Sequence, residues 1–273
     1  MNQIAVLLTV YKNDGLEAFK VALDSLYKQT IEGFDIFVQE DGAVDVDIHE
    51  YLAQELNTGR IKHLGERGKN KGFDYSLNEL IDKVLMAEYE YIVRMDADDI
   101  SMPERLEKQL DCMNENPSID VCGTYIEEFG DGIEYTKVVS YPLTHNTMLG
   151  FFKKRVPIAH VSAFFRRSYF EKAGFYEVEG HFNNGDTLMW MKGFASGCRF
   201  ANIDYVGVKV RVSQDFFGRR GGWKKTVADF KNRLTVNKKL NFGPVAYLYA
   251  FAVAFVNMMP PVMKKYAYKH LRQ

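Results

Sequence analysis

Three carboxylates, Asp96, Asp98 and Asp99, follow the apolar run Tyr91-Ile92-Val93, and Ile100-Ser101-Met102-Pro103 then leads into a helical stretch. Acids crowded at the end of a buried strand repel one another and lose hydration, so a bound cation relieves the site. A hard divalent ion suits an all-oxygen donor set, and the chemistry this points to is a metal-diphosphate site. Capping of the following helix is the simpler use for such acids, because its amides and dipole favour negative charge. Asp99 or Ser101 suffices for a cap, and three acids exceed that need.

The elements around the cluster predict how it is held. Ile4 to Val10 reads as a buried strand, followed by the polar turn Lys12-Asn13-Asp14-Gly15 and a helical pattern at Phe19, Leu23, Leu26 and Tyr27. The unit repeats: a strand from Phe34 to Val38, the acidic turn Glu40-Asp41-Gly42, a helix through Ile48, Leu52 and Leu56, and a short strand from Ile61 to Leu64. A third helix carries Leu77, Leu80, Ile81, Val84 and Leu85, before the strand Tyr91 to Met95. Alternating strands and helices predict an α/β fold with a mostly parallel sheet, and ligands in such folds bind beyond the carboxyl ends of the strands. From Cys122 the pattern is mixed, with strands expected at Val138–Tyr141, Val161–Phe165 and Phe200–Val206 and a helix at Thr187–Ser196.

Composition narrows the class. With 273 residues and 47% hydrophobic, the chain can bury one large core, which excludes disorder. A formal net charge of -1 supplies no basic field, so nucleic acid is not an expected partner. Cys112, Cys122 and Cys198 are odd in number and lack paired spacing, which argues against a disulfide framework and a zinc site and fits a reducing cytoplasm. The N-terminal residues enter a strand without a basic leader, so a cytoplasmic body is the expectation. No G-x-G-x-x-G follows the first strand and no G-x-x-x-x-G-K-[ST] occurs, so acids stand where dinucleotide and P-loop folds carry their phosphate cradle.

Taken in order, Ala5-Val6-Leu7-Leu8-Thr9-Val10-Tyr11, Glu40-Asp41-Gly42-Ala43, Asn70-Lys71-Gly72 with Leu77-Asn78, and Asp96-Ala97-Asp98-Asp99 resemble the inverting family 2 glycosyltransferases from about Ile4 to Val212. The resemblance implies a GT-A, nucleotide-diphospho-sugar-binding fold. It implies a domain over 1–212, with a nucleotide half at 1–120 and an acceptor half at 121–212; the sequence pattern beyond it, at 213–273, reads as a basic loop followed by amphipathic and apolar helices, a membrane-associating tail. By resemblance Thr9 and Tyr11 meet the base and ribose, Glu40 or Asp41 meets the base, and Lys71 meets the diphosphate unless it is a solvated loop lysine. Asp96 falls on the ribose side, Asp98 on a bridging Mn2+ or Mg2+, and Asp99 on the donor sugar or metal surroundings. The stretch Asn183-Asn184-Gly185-Asp186-Thr187 resembles the family's acidic pair before an aromatic-rich helix, which makes Asp186 the catalytic base and puts Gly185 where an acid is usual. The alternative for Asp186 is a helix N-cap. His160 matches a histidine at the start of an acceptor-side strand, and Arg219 and Arg220 are expected to close over a diphosphate or to face lipid headgroups.

The C-terminal segment adds a surface expectation. Pro244 to Met263 is strongly apolar, and Lys264, Lys265, Lys269, His270 and Arg272 follow, with Tyr266 and Tyr268 between them. An uninterrupted core ending near Pro260 falls short of the ~20 residues a spanning helix needs, so peripheral attachment to an anionic inner membrane face is expected, with internal packing or a homodimer as alternatives. The expected function is non-processive transfer of a single sugar from a nucleotide diphosphate sugar to a glycan on a polyprenyl diphosphate, in capsule, exopolysaccharide or O-antigen synthesis. The rivals are a sugar-nucleotide nucleotidyltransferase and a non-catalytic glycan- or lipid-binding protein.

Overall fold

The computed structural model describes residues 3–130, 136–178, 184–212 and 223–258. Its centre is β1 (Ile4–Val10), flanked in parallel by β2 (Phe34–Glu40) and β4 (Tyr91–Arg94), with β3 (His63–Gly65) parallel to β2. β5 (Ile100–Ser101), β6 (Val121–Phe129), β8 (Phe164–Arg166) and β9 (Phe200–Arg211) extend the sheet in the order β3-β2-β1-β4-β8-β6-β9-β5, while β7 (Lys137–Val139) pairs with β6. β8 runs antiparallel to β4 and β6, so the parallel half meets the mixed half at β4, next to the acid cluster.

The period of two along β1 explains why both of its faces are apolar. Ile4, Val6, Leu8 and Val10 face α1 (Leu16–Tyr27), α2 (Val46–Asn57) and α4 (Arg105–Glu115), whereas Ala5 and Leu7 face α3 (Phe73–Met86), α6 (Arg167–Ala173) and α7 (Gly185–Ala195). Trp190 on α7 is fully buried and stacks on Phe165 at 5.7 Å between ring centres, which fixes α7 against β8. α5 (His145–Phe152) closes this layer with Met148 and Phe152.

Several boundaries differ from expectation. The strand expected at Val161 begins at Phe164, because His160–Ser162 forms a 3-10 turn in which Ser162 Oγ donates to Ala159 O at 2.9 Å. β9 continues to Arg211, since its pairing with β6 shifts register around Tyr125 and then resumes. β7 stops at Val139, and α7 begins at Gly185, two residues ahead of the expected Thr187.

α8 (Trp223–Lys239) and α9 (Pro244–Met258) pack on the body: Val236, Phe242 and Ala246 join the core layer of α3 and α7. The segment after residue 212 therefore contributes to the core as well as to the surface. Among the described residues, no helix is long and apolar enough to cross a membrane.

Candidate active site

The loops that follow β1, β2, β3 and β4 share one edge of the sheet, because Val10 pairs with Glu40, Gln39 with Gly65 and Leu7 with Arg94. Two of them interlock. Asp41 accepts hydrogen bonds from Lys71 N at 2.8 Å and Gly72 N at 2.9 Å and is ion-paired with Arg67, while its own carbonyl accepts from Asn70 Nδ2 at 2.9 Å. Gly42 makes this approach possible: its φ is +86°, and a side-chain carbon there would sit 2.7 Å from Asn70 N. Glu40 pairs with His49 Nδ1 at 3.0 Å, and that hydrogen bond raises the proton affinity of the imidazole. Both acids of the expected base-binding turn thus have protein partners. Lys71 Nζ lies 2.9 Å from Tyr75 Oη and 4.2 Å from that ring's centre, so its ammonium turns toward its own helix.

Thr9 lies half-buried on β1, and Tyr11 just after it opens a tight turn in which Tyr11 N donates to Asp14 Oδ2 at 2.9 Å. Asp14 is a fourth acid of the site that sequence reasoning passed over as a turn residue. Burial lifts its carboxyl to about 7 against the lowering effect of the Tyr11 amide, and the charges of Asp98 and Asp96 add to the lift.

Asp96 pairs with Arg94, a buried cation at the end of β4. Burial raises the Asp98 carboxyl, with Asp96 adding repulsion. Asp99 is buried; its Oδ1 accepts Arg211 N at 2.8 Å, and its Oδ2 has no hydrogen-bond partner among the described residues. Burial, then the charges of Asp96 and Asp98, push its carboxyl well above the usual range. These carboxylates fit a hard divalent cation: the donors are oxygens, one is orphaned, and Arg94, ion-paired with Asp96, offsets their mutual repulsion only in part. Among the described residues no group of three His, Cys, Asp or Glu side chains is placed to hold a metal ion by itself.

On the other side, the half-buried His160 donates or accepts at Tyr176 Oη over 2.7 Å and is packed edgewise by Phe73, Tyr176 and Trp190. Burial, helped by the Arg94 charge, keeps its imidazole neutral. Asn78 holds Tyr176 through paired backbone contacts, Nδ2 to Tyr176 O and Tyr176 N to Oδ1, each 2.9 Å. Asp186 lies in the first turn of α7, with Asn184 as the cap residue. Its Oδ1 accepts Thr187 N at 2.7 Å, and burial raises its carboxyl. α8 reaches the same edge, where Asp229 accepts Asn184 Nδ2 at 2.9 Å and lies 3.1 Å from Lys225 Nζ. The expected Arg219 and Arg220 lie outside the described residues.

Arg94 connects the two sides. It is ion-paired with Asp96, and its charge also acts on Asp99, Asp74, Asp186, His160 and Tyr176. Sequence reasoning missed it, although a charged residue inside an apolar strand was the available signal.

A mixed sheet with helices on both faces and acids on its strand-end loops is the GT-A fold, which the solved structure of Staphylococcus aureus TarS shares at a TM-score of 0.63 and 15% identity. The family model described as "Glycosyl transferase family 2" matches residues 6–174, more than half of the chain, and the chain belongs to that family. It is 25% identical over 268 residues to the Escherichia coli UDP-Gal:alpha-D-GlcNAc-diphosphoundecaprenol beta-1,3-galactosyltransferase, covering 98% of this chain and 95% of that one. To the amylovoran biosynthesis glycosyltransferase AmsE of Erwinia amylovora it is 27% identical, covering 98% and 99%. The Pyrobaculum calidifontis mannosyltransferase solved with GDP-Man and Mn2+ superposes with a TM-score of 0.59 at 15% identity, over 98% of this chain and 79% of that one, which shows the shared fold.

Proposed function

We propose that this chain is an inverting, non-processive glycosyltransferase that moves one sugar from a nucleoside diphosphate sugar to a glycan acceptor on a polyprenyl diphosphate, with Asp186 as base. The observation that carries this reading is the placement of Arg94: it is ion-paired with Asp96, and its guanidinium lies over the Phe73 ring, next to Asp74, whose carboxylate abuts Gly185 immediately before Asp186. Thr9 and Tyr11 lie at the base and ribose end of the donor. Asp41 receives the base by sharing its carboxylate with Arg67, and Asp96 takes the ribose. Asp98 with Asp99 would hold Mn2+ or Mg2+, which when bound supplies positive charge to the leaving diphosphate.

The base takes the proton of the acceptor hydroxyl as its oxygen bonds to the anomeric carbon, and the nucleoside diphosphate departs with the bonding electrons on the opposite face. A carboxylate whose proton affinity is raised by burial accepts that proton more readily than a solvated one. Neutral His160 lines the acceptor side and holds Tyr176 rather than transferring protons. The relatives named for a diphosphoundecaprenol-linked substrate and for amylovoran support a lipid-linked acceptor and a role in polysaccharide assembly. Domain limits of 1–212 and 213–273 follow the sequence pattern, with α8 and α9 bracing the acceptor side.

Nucleotide release from a panel of UDP-, dTDP- and GDP-sugars, with manganese or chelator, tests the reading. The expected result is metal-dependent release from one donor, reduced about 10²–10⁴-fold in Asp186→Asn. Release from no donor, with lipid-linked acceptors present, would shift the reading to a non-catalytic binding protein.

A further inference from the structure

α7 opens on Gly185 because another element occupies the space its side chain would need. A carbon there would lie 2.3 Å from Asp74 Oδ2 and 2.4 Å from Asp74 Oδ1, far inside a tolerable contact. Asp74, in the first turn of α3, therefore presses its carboxylate against the backbone immediately before Asp186. The acid that position 185 lacks is supplied from a helix 111 residues earlier in the chain (185 − 74).

A second observation points the same way. Arg94 is 6% exposed, and its Nε and Nη1 have no hydrogen-bond partner among the described residues. Its guanidinium stacks 4.8 Å from the centre of the Phe73 ring, next to Asp74, and its charge acts on both Asp74 and Asp186. A buried cation with two unused donors beside two acids is a site whose hydrogen bonds are incomplete without a ligand.

We propose that Asp74 is a substrate-binding carboxylate: it accepts a hydrogen bond from an acceptor-sugar hydroxyl adjacent to the one that attacks, so that neighbouring hydroxyls span Asp74 and Asp186. This rests on Asp186 being the base. Asp74 takes no proton in the transfer; it orients the sugar, and Arg94 offsets the paired negative charge. The acceptor class is a pyranose with free vicinal hydroxyls at the site of attack.

The test is a relocation of the carboxylate. Asp74→Ala, Gly185→Asp and the double variant are compared with wild type in transfer to a synthetic GlcNAc-diphosphate lipid and in donor hydrolysis without acceptor. Asp74→Ala is expected to raise the acceptor KM about tenfold or more, with donor hydrolysis within about threefold. Gly185→Asp alone loses transfer through the clash, and the double variant returns to within about threefold of wild type. Transfer by Asp74→Ala within about twofold of wild type, parallel loss of transfer and hydrolysis, or a double variant no better than either single would overturn the proposal.

Asp186→Asn separates the two readings. Lost kcat with acceptor KM kept is the expected result. Full turnover in Asp186→Asn together with a loss in Asp74→Ala would make Asp74 the base and overturn both. Thermal melts keep the geometry testable at low turnover: Gly185→Asp should lower Tm and the double variant restore it, and equal melts in single and double variants would refute the packing.

Discussion

Asp74 carries a conflict between stability and use that one titration exposes. Its carboxyl is raised from 3.8 to about 6 by burial, with repulsion from Asp186 adding to it and Arg94 opposing it; Tyr176 also faces this pair, and the Lys225 charge acts on Asp186. Between these values the folded protein keeps a proton that the unfolded chain releases, so this residue's contribution falls as pH rises through the window and is least favourable above about 6. Asp74→Asn should therefore stabilise the protein near pH ~8, by about 1 kcal/mol once partial exposure is discounted, and leave it unchanged near pH ~3.5. Melting curves at the two pH values check the sign, and a variant less stable at high pH would sink the argument.

The element that aims the acid cluster is α4, through a cation. Arg105 is fully buried and donates to Arg94 O at 2.8 Å, Val161 O at 3.0 Å and Gln109 Oε1 at 3.0 Å, joining the end of β4 to the turn after His160. Burial in these surroundings lowers its guanidinium to about 9, with the Arg94 charge contributing. Removing it leaves carbonyls at the base of the site without donors, so Arg105→Ala should cost about 3 kcal/mol or more in denaturant unfolding. A loss below about 1 kcal/mol would show that the cation is dispensable to this corner. The β2 loop is held differently, by the backbone amides of residues 71 and 72 on Asp41.

At the scale of the molecule, α9 has two faces. Ala246 and Ala250 are buried, whereas Val245, Leu248, Phe251, Phe255 and Met258 are exposed at helical spacing, with Leu248 69% and Phe255 65% accessible. α9 leans on α8 through Phe230 and Phe251 at 4.9 Å, and α8 in turn touches the loop before Asp186, so a surface that met the stripe would adjoin the acceptor side. An anionic lipid surface is the proposed occupant, given the basic residues that follow in sequence. Deleting everything after Asn241 is a poor test, because Phe242 and Ala246 belong to the core. Leu248→Asp with Phe255→Asp instead should reduce cosedimentation with phosphatidylglycerol vesicles by about tenfold or more while leaving the melt unchanged. Unchanged cosedimentation would remove the membrane role, and a shift from dimer to monomer on gel filtration would assign the stripe to self-association.

The sequence by itself determined the strand-helix alternation of the first half, the acid cluster after Val93 and the candidate base, because each is written in local apolar period and in residues a few positions apart. The Glu40-Asp41-Gly42 and Asn70-Lys71-Gly72 motifs were legible one by one, but their clamp was not, since a contact across 30 residues leaves no trace in spacing. Tertiary structure alone decided that Asp74 fills the space above Gly185, that Arg94 serves both sides of the cleft and that α8 and α9 complete the core. Desolvation and close approach arise only when elements far apart in the chain are packed together, and they give these same side chains their shifted charges.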